Sequence, residues 1–409
     1  MPTVSVIIPT YNRKDFVQEA IDSVLAQTYE DYEIIVVDDG STDGTVDVLQ
    51  ARYDNRIRLL WQENRGESAA RNRGIGISSG CYVALLDSDD RWLPQKLERQ
   101  IAVMDGDQTV GMTFSQAWLT DEYAKPIGHA PLGNSLQEGE VTFQSLLEEN
   151  IVAAGGSTAM ISRDVLYRIG GFDESIRYGE DWDLWLRISA KYKVSLVAEP
   201  LALIRQHRTT QSYFPSPQTI ELVLRDHLAL LEKALNTHLL ADSEVDRGSI
   251  LAKEYGLAAL GYAALGEEAK ALTHMKMADA LDPVYLRAPS PRFRELVLYY
   301  AHLVVQSEPI RERTIRSAAL VRSVLELRKC IVGAQDSTGD AILTDLYIAQ
   351  LLFAYDSGED ALARSLLLHV LVRDPSKVRE RGVSAKLPDL FLGRDASNLL
   401  RSWKHRLAQ

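Results

Sequence analysis

An apolar stretch that ends in carboxylates constrains the fold of this chain more than any other feature. Residues 81–86, Cys-Tyr-Val-Ala-Leu-Leu, suit a buried strand, and Asp87, Ser88, Asp89 and Asp90 follow them directly. A short apolar run of this kind indicates an inner strand of a sheet that is covered on both faces. In open α/β sheets ligands bind beyond the carboxyl ends of the strands, so these acids are expected at a ligand site.

The spacing of Asp87 and Asp89 suggests a cation site. The two acids are two residues apart, so they point to the same side wherever the chain stays extended. Carboxylates held together beside a low-dielectric core repel each other, and a hard divalent cation with oxygen ligands relieves the repulsion. Such a cation keeps open positions that suit the oxygens of a diphosphate. The alternative is a solvated turn that caps the next helix, because Asp and Ser favour turns and caps.

Composition and charge limit the class of protein. A chain of 409 residues with 46% hydrophobic and 25% charged residues is typical of globular proteins with two or more domains. The net charge of −12 argues against broad binding to nucleic acid through its phosphates and leaves room for a cation. Two cysteines, Cys81 and Cys330, are too few for a disulfide framework, which fits a reducing compartment.

These features predict a cytoplasmic protein. No apolar run reaches about 18 residues, and residues 1–3 lead directly into a predicted strand rather than into a signal segment. The basic, amphipathic tail at residues 399–407 is compatible with peripheral contact with the inner face of a membrane. A surface helix packed on its own domain is the alternative for that tail.

Strands and helices alternate over the first 90 residues. The predicted segments are, in order, strand 4–9, helix 16–25, strand 33–37, strand 56–61, helix 68–76 and strand 81–86. Strands that alternate with helices at this spacing imply right-handed crossovers and parallel neighbours. The first loop contains neither a dinucleotide fingerprint nor a P-loop.

Four segments of this region resemble the motifs of a known family. They are Pro-Thr-Tyr-Asn-Arg at 9–13, Val-Val-Asp-Asp-Gly-Ser-Thr-Asp at 36–43, Ala-Ala-Arg-Asn-Arg-Gly at 69–74 and Leu-Asp-Ser-Asp-Asp at 86–90. In this order and at this spacing they resemble glycosyltransferase family 2. The resemblance implies the α/β GT-A fold, a Rossmann-like arrangement with a mostly parallel, mixed sheet and helices on both faces. It also implies inverting transfer of a sugar from a nucleotide-sugar donor, a UDP-sugar being favoured, to a hydroxyl of a saccharide, lipid-linked or protein acceptor.

The same resemblance implies a nucleotide site at the strand ends. Its residues would be Pro9, Thr10, Tyr11, Asp39, Arg71 and Asp87. Thr10 and Tyr11 would line the base pocket, and Asp39 would accept a hydrogen bond from the base. A carboxylate suits this role because it can pair with an imide N–H such as that of uracil. A turn residue that caps a helix is the alternative for Asp39.

The metal site is implied in the same way. Asp87 and Asp89 match the Asp-x-Asp pair of the family, which contacts the ribose and holds Mn²⁺ or Mg²⁺ against the diphosphate. A cation in this place neutralises the leaving group as the glycosidic bond breaks. His207 is a candidate for a further contact with the metal or diphosphate. An ordinary surface or core histidine is the alternative.

The catalytic acid is expected near residues 179–187, after a Gly-Gly-Phe-Asp-Glu turn at 170–174 that also resembles the family. A general base must take the proton from the acceptor hydroxyl as that hydroxyl attacks the anomeric carbon. The family's Glu-Asp motif assigns this role to Asp181, with Glu180 as its supporting neighbour. The reversed roles are one alternative, and plain capping of the helix N-terminus is another.

The rest of the chain is helical in period. We predict a catalytic domain at 1–212, a linker at 213–218 and an α-helical domain at 219–409. Within the last of these, 266–283 resembles 358–375, and both look like degenerate tetratricopeptide helix pairs. Stacked units of this kind present a concave surface that can bind a protein partner. A helical domain that braces the catalytic domain or forms a dimer is the alternative.

Two other functions compete with the glycosyltransferase hypothesis. One is a catalytically inactive GT-A-like protein that acts as an interaction module through its helical repeats, although the presence of Asp87, Asp89 and Asp181 counts against it. The other is a sugar-1-phosphate nucleotidyltransferase. That enzyme would need a glycine-rich loop after the first strand, and residues 9–12 are not glycine-rich.

Overall fold

The computed structural model describes two compact units. The described residues are 2–129, 139–152, 156–205, 216–236, 245–286 and 310–332, with positions 297, 342, 344–348, 350, 351, 363, 366, 367 and 370. The first unit comprises those within 1–211 and 225–246, and the second comprises those within 212–224 and 247–409.

One mixed sheet of ten strands organises the first unit. The strands are β1 Val4–Thr10, β2 Tyr32–Asp38, β3 Arg58–Trp61, β4 Tyr82–Leu85, β5 Arg91–Trp92, β6 Val110–Thr120, β7 Pro126–His129, β8 Gly139–Val141, β9 Ala159–Ser162 and β10 Lys193–Arg205. Their order is β3-β2-β1-β4-β9-β6-β10-β5, with β7 paired to β6 and β8 paired to β10.

Twelve helices lie within the described residues. They are α1 Lys14–Leu25, α2 Thr45–Tyr53, α3 Glu67–Ile77, α4 Lys96–Gly106, α5 Phe143–Glu148, α6 Arg163–Ile169, α7 Glu180–Ser189, α8 Pro217–Leu235, α9 Arg247–Ala264, α10 Glu268–Leu281, α11 Pro283–Leu286 and α12 Ile310–Val332. Within the part of the chain that the structure describes, none of them is both long and apolar enough to cross a lipid bilayer.

The order of the strands confirms the predicted fold class. β1 lies between β2 and β4 and is parallel to both, and β3 is parallel to β2. β9 then enters antiparallel between β4 and β6, so the sheet is mixed beyond β4. Because the first four strands run the same way, the loops that follow them emerge at one edge of the sheet.

Helices cover both faces of the sheet, as the apolar runs predict. Val4, Val6 and Ile8 of β1 belong to the core that includes the apolar side of α1. Ile7 faces the other way, toward α3. A Cβ at Gly74 of α3 would lie 2.6 Å from Ile7 Cγ2, so glycine is what lets this helix approach β1 closely.

The aspartates follow β4 in a turn. β4 ends at Leu85, and the Asp90 N–H donates to the Asp87 carbonyl at 3.1 Å. The extended geometry that would have placed Asp87 and Asp89 on one side of the chain therefore ends before them. The condition for their shared direction is therefore not met, because a hydrogen-bonded turn replaces the strand at this point.

The second unit is helical in its described residues. Gly266 has a φ of +76° and forms the turn between α9 and α10, where the Glu267 N–H donates to the Tyr262 carbonyl at 2.9 Å. Pro283 opens α11 directly after α10 ends. The first predicted helix pair is therefore present, but the matching segment at 358–375 lies almost entirely outside the described residues. The tetratricopeptide resemblance stays a prediction.

The domain boundary also stays a prediction. α8 begins at Pro217, which lies inside the span predicted as a linker. Its residues from 225 onward group with the first unit, although the sequence assigned them to the helical domain.

Candidate active site

A buried arginine joins the end of β4 to the start of α7. The side chain of Arg71, on α3, is 3% exposed, and its Nη atoms lie 2.8 Å from Asp87 Oδ1 and 3.0 Å from Glu180 Oε1. Glu67, one turn earlier on α3, pairs with the same guanidinium. Burial alone disfavours the charged form, but the three carboxylates outweigh it and raise the pKa of Arg71. The charged guanidinium therefore holds acids from distant segments together.

Two later segments cover this arginine. The ring of Phe172 lies 5.2 Å from the Arg71 guanidinium carbon. The Asn72 side chain exchanges two hydrogen bonds of 2.9 Å with the backbone of Phe172, which fixes the Gly-Gly-Phe turn on α3. A Cβ at Gly156 would lie 3.4 Å from Arg71 Nη2 and 3.5 Å from Asp87 Oδ1, so the chain passes close to the ion pair there.

The predicted catalytic pair occupies the first two positions of α7. Asp181 Oδ1 accepts a hydrogen bond from the Trp182 N–H at 2.7 Å, and Asn150 Nδ2 lies 3.5 Å from both Asp181 oxygens. Burial raises the pKa of Asp181, although Arg71 opposes the shift. Burial and the neighbouring Asp181 raise the pKa of Glu180 to about 7. Both carboxylates are therefore better proton acceptors than ordinary ones, whereas helix capping alone would lower their pKa values.

The three acids after β4 differ in their surroundings. Asp89 Oδ2 lies 3.9 Å from Arg13 Nη2, and both side chains are about a quarter exposed. Asp90 is buried and accepts hydrogen bonds from Ser157 Oγ at 2.6 Å and from the last N–H of β10 at 2.9 Å. Burial, with the charges of Asp89 and Asp87, raises the pKa of Asp90. Asp90 thus fixes the turn, and Asp87 and Asp89 are the acids that a ligand can reach.

Asp87 and Asp89 form a donor set that suits Mg²⁺ or Mn²⁺. Both supply the hard carboxylate oxygens that these cations prefer. After burial, the charges of Asp89 and Asp87 contribute to the raised pKa of Asp90, and a cation at the turn would offset those charges. Among the described residues, no group of three or more His, Cys, Asp or Glu is arranged to hold a metal. Further ligands would have to come from a bound diphosphate or from His207, which lies outside the described residues.

The tips of β1 and β2 carry the residues predicted to bind the base. Thr10 lies opposite Asp38 in the parallel register, and both are buried. Within the described residues, Thr10 Oγ1 and Asp38 Oδ2 have no hydrogen-bond partner. Pro9 is buried in β1, and Tyr11 is 48% exposed just beyond it. Unpaired buried polar atoms beside an exposed aromatic ring suit a ligand that supplies the missing partners.

Asp39 is buried and organises the loop between β3 and α3. Its Oδ1 accepts hydrogen bonds from Gln62 Nε2 at 2.7 Å and the Arg65 N–H at 2.9 Å. Its Oδ2 accepts one from the Gly66 N–H at 2.8 Å. A carboxylate oxygen can accept more than one hydrogen bond, so a contact with a base is compatible with this structural role.

Several residues of the site were missed by sequence reasoning. Asn150 beside Asp181, Ser157 on Asp90 and Gln62 on Asp39 lie far along the chain from their partners. No short motif links such positions. Arg13, Asn72 and Phe172, by contrast, belong to segments that the sequence had singled out, although it gave them no role.

The chain is similar to known proteins in its sequence and in its fold. The model of glycosyl transferase family 2 matches residues 5–170. The putative teichuronic acid biosynthesis glycosyltransferase TuaG of Bacillus subtilis is 36% identical over 196 residues, which cover 46% of this chain and 73% of TuaG. An uncharacterized glycosyltransferase of Rickettsia typhi is 36% identical over 197 residues, which cover 47% of this chain and 61% of that protein.

A third relative has a more specific name. The UDP-Glc:alpha-D-GlcNAc-diphosphoundecaprenol beta-1,3-glucosyltransferase WfgD of Escherichia coli is 31% identical over 220 residues, which cover 54% of this chain and 82% of WfgD. Among solved structures, residues 1–349 of TarS from S. aureus in complex with UDP-GlcNAc align with a TM-score of 0.50 and 20% identity. That alignment covers 87% of this chain and 92% of the TarS chain, and it concerns the fold.

The mixed sheet, with acids gathered beyond its parallel strands, defines a protein with the GT-A fold. The relatives narrow this class further: the chain belongs to glycosyltransferase family 2.

Proposed function

We propose that this protein is an inverting glycosyltransferase that transfers a sugar from a UDP-sugar to an acceptor hydroxyl. The observation that carries the proposal is the pair of contacts made by Arg71, which joins Asp87 at the predicted diphosphate site to Glu180 beside the predicted base. Transfer requires a leaving group and a proton acceptor on either side of one reacting carbon. The buried guanidinium of Arg71 connects the predicted diphosphate site to the predicted base in this fold.

Asp181 is the proposed general base. It takes the proton of the acceptor hydroxyl while the acceptor oxygen forms a bond to the anomeric carbon. The bond from that carbon to the diphosphate oxygen breaks, and the nucleoside diphosphate leaves with the electron pair. The raised pKa of Asp181 favours proton uptake, and Asn150 and the Trp182 N–H orient its carboxylate. Glu180 supports this arrangement from its ion pair with Arg71.

The nucleotide would bind along the carboxyl edge of β1, β2 and β4. Thr10 and Tyr11 would line the base, Asp39 would accept a hydrogen bond from it, and Asp87 would contact the ribose. Mg²⁺ or Mn²⁺ held by Asp87 and Asp89 would supply positive charge to the departing diphosphate.

The name of one relative supports the choice of donor and acceptor. WfgD is named for UDP-Glc and for a diphosphoundecaprenol acceptor. The imide N–H of uracil can donate a hydrogen bond to Asp39, so a UDP-sugar is the favoured donor. A lipid-linked saccharide is the favoured acceptor among saccharide, lipid-linked and protein acceptors.

Nucleotide binding tests the donor side. UDP, GDP, dTDP and CMP are each added with and without Mn²⁺, and the thermal unfolding of the protein is followed. A ligand that binds only the folded form raises the melting temperature. We expect UDP to do so only with Mn²⁺, and Asp89→Ala to abolish the gain while the surface control Asp164→Ala keeps it. If no nucleotide shifts the wild type, the enzyme hypothesis fails and an inactive GT-A-like interaction module takes its place.

Turnover tests the proposed base. UDP release from UDP-glucose and UDP-N-acetylglucosamine, with water as the acceptor of the sugar, is measured for the wild type, Asp181→Asn and Glu180→Gln. Loss of a general base lowers the rate by roughly 10²- to 10⁴-fold. We expect Asp181→Asn to show this loss with UDP affinity preserved, and Glu180→Gln to show a smaller one. The opposite ranking would assign the base to Glu180.

A further inference from the structure

The loop that leads into α7 is held by a helix that follows it in the chain. Asp226, on α8, is 5% exposed, and its Oδ2 accepts hydrogen bonds from the N–H groups of Arg177 at 3.1 Å and Tyr178 at 3.2 Å. These N–H groups come just before Glu180 and Asp181 in the chain. A carboxylate that accepts two backbone N–H groups makes charge-assisted hydrogen bonds and fixes the local path of the chain.

Two other side chains of α8 pack on the start of α7. The ring of His227 lies edge-on to Trp182, with ring centroids 5.3 Å apart. Gly179 has a φ of +81°, and a Cβ at this position would lie 3.1 Å from Leu230 Cδ2 and 3.2 Å from the His227 ring. The Trp182 N–H donates to Asp181 Oδ1, so the residue that His227 contacts also contacts the proposed base.

A lysine of α8 extends the contact to both ends of the loop. Lys233 Nζ lies 3.3 Å from Asp183 Oδ1 in α7 and 3.7 Å from Asp173 Oδ2 at the start of the loop. Asp183 is buried and also pairs with Arg187 at 2.7 Å. The residues of α8 that make these contacts are Asp226, His227, Leu230 and Lys233. Their spacing places them on one side of the helix, and we call this group the α8 clamp.

We propose that Asp226 is a positioning residue for the proposed base, and that the α8 clamp sets the place of Glu180 and Asp181 against the acceptor hydroxyl. The inference rests on the proposed function. A displacement of about 1 Å in a catalytic group can cost about 10²-fold in rate, so fixing the start of α7 matters for the chemistry. The α8 clamp lies outside residues 5–170, which the family model matches.

Three variants test the clamp. Asp226→Ala removes the acceptor for both N–H groups, Asp226→Asn keeps one carbonyl oxygen in its place, and Glu232→Ala changes an exposed acid of the same helix. Amide hydrogen exchange is followed over residues 173–183. We expect exchange there to become at least about tenfold faster in Asp226→Ala, with most of the protection restored in Asp226→Asn and wild-type exchange in Glu232→Ala.

Kinetics separates catalytic positioning from a purely structural role. The kcat and KM for UDP release are measured with the better donor of UDP-glucose and UDP-N-acetylglucosamine, and the Kd for UDP with Mn²⁺ is measured by calorimetry. We expect Asp226→Ala to lower kcat by about tenfold or more, with KM and Kd within about twofold of the wild type. Asp226→Asn should recover most of kcat.

The outcomes distinguish this inference from the proposed function. Suppose that the wild type binds UDP and turns over a donor. If Asp226→Ala then shows the wild-type kcat, or the wild-type rate of amide exchange over residues 173–183, the positioning role is overturned and the glycosyltransferase activity stands. Equal losses of kcat and of UDP affinity would also overturn it, because they indicate general damage. If the wild type turns over neither donor, the proposed function is overturned, and the catalytic role of the clamp with it.

Discussion

The pKa values of acids shift in opposite directions at the two ends of the parallel strands. At the amino end, Glu33 of β2 accepts hydrogen bonds from Ser5 Oγ at 2.7 Å and from the Ser79 N–H and Oγ at 2.8 and 2.7 Å. Arg58 pairs with its other oxygen at 2.8 Å. Burial alone would raise its pKa, but these donors outweigh burial and lower the pKa of Glu33 to about 2.

At the carboxyl end, three acids near the turn after β4 and the start of α7 lie close to like charges. Burial, together with neighbouring carboxylates, raises the pKa values of Asp90 and Glu180, and burial raises that of Asp181. Arg71 holds Glu180, and Asp90 is tied to backbone and Ser157, yet their pKa values stay raised.

The directions of the pKa shifts separate acids that stabilise the folded state from acids that destabilise it at neutral pH. A carboxylate whose pKa is lowered by folding stabilises the folded state at neutral pH, and one whose pKa is raised destabilises it there. Among the described residues, the carboxylates with a raised pKa all lie near the carboxyl end of the parallel strands; they are Glu67, Asp90, Glu180 and Asp181. A cluster of raised pKa values is typical of functional sites, and this one supports the site proposed above on grounds independent of any motif.

The largest effect is expected from removing the buried guanidinium of Arg71 at the carboxyl end of the strands. Arg71→Met leaves Asp87 and Glu180 without the guanidinium that compensates them. Removing one partner of a buried ion pair typically costs about 3–5 kcal/mol, and we expect that loss in the free energy of unfolding measured with urea. UDP release should be lost as well, because the two halves of the site are no longer joined.

A surface arginine provides the control for that substitution. Arg65 pairs with Glu174 at 3.0 Å, but both side chains are well exposed at 66% and 42%. Arg65→Met should cost less than about 1 kcal/mol, because exposed pairs contribute little. Equal losses in the two variants would contradict the central role given to Arg71.

A smaller loss is expected at the amino end. Glu33→Gln removes a carboxylate whose pKa is about 4.5 in the unfolded chain and about 2 in the folded protein. Its stabilisation is fully present above pH 4.5 and is lost as pH falls toward 2. We expect the variant to be less stable than the wild type at pH 7 by about 1–3 kcal/mol, after allowance for solvent screening.

The same variant separates stability from function. Because Glu33 lies at the end of the strands remote from the site, UDP binding with Mn²⁺ should keep its wild-type affinity at pH 7. The exposed pair of Asp164 and Arg168 supplies the control, and Asp164→Asn should leave stability nearly unchanged. A loss of UDP affinity in Glu33→Gln would remove the contrast between the two ends.

At the carboxyl end, the sequence predicted the strand ends well and the turn after β4 poorly. Apolar runs that stop at acids identify the strand ends, and parallel register then places Thr10, Asp38 and Asp87 at one edge. The local period of the chain carries this information. The turn that replaces the extended geometry after Leu85 depends on a hydrogen bond to the Asp87 carbonyl, which no period encodes.

The start of α7 depends on partners that are distant in the chain. Asn150 lies 31 positions before Asp181, and Asp226 lies 49 positions after Arg177. The packing of the whole unit brings these side chains together, so neither the family motifs nor helix propensity points to them. The Glu-Asp pair itself was visible in the sequence, but what holds it was not.

The last effect is a change in the pH dependence of stability, and it tests the raised pKa of Glu180 at the carboxyl end. The pKa of Glu180 is about 7 in the folded protein, against the ordinary value of 4.5 that is expected in the unfolded chain. The folded state therefore holds this proton more tightly, and stability falls as pH rises from about 4.5 to about 7. Glu180→Gln removes this contribution, so the wild type should lose about 1–3 kcal/mol more stability than the variant between pH 4.5 and pH 8.

Urea unfolding at the two pH values measures the difference, and Glu174→Gln, on the exposed loop before α7, should keep the wild-type pH dependence. If Glu180→Gln also shows the wild-type pH dependence, folding does not raise the pKa of Glu180. The two ends of the strands would then differ only in the number of hydrogen bonds that their acids accept.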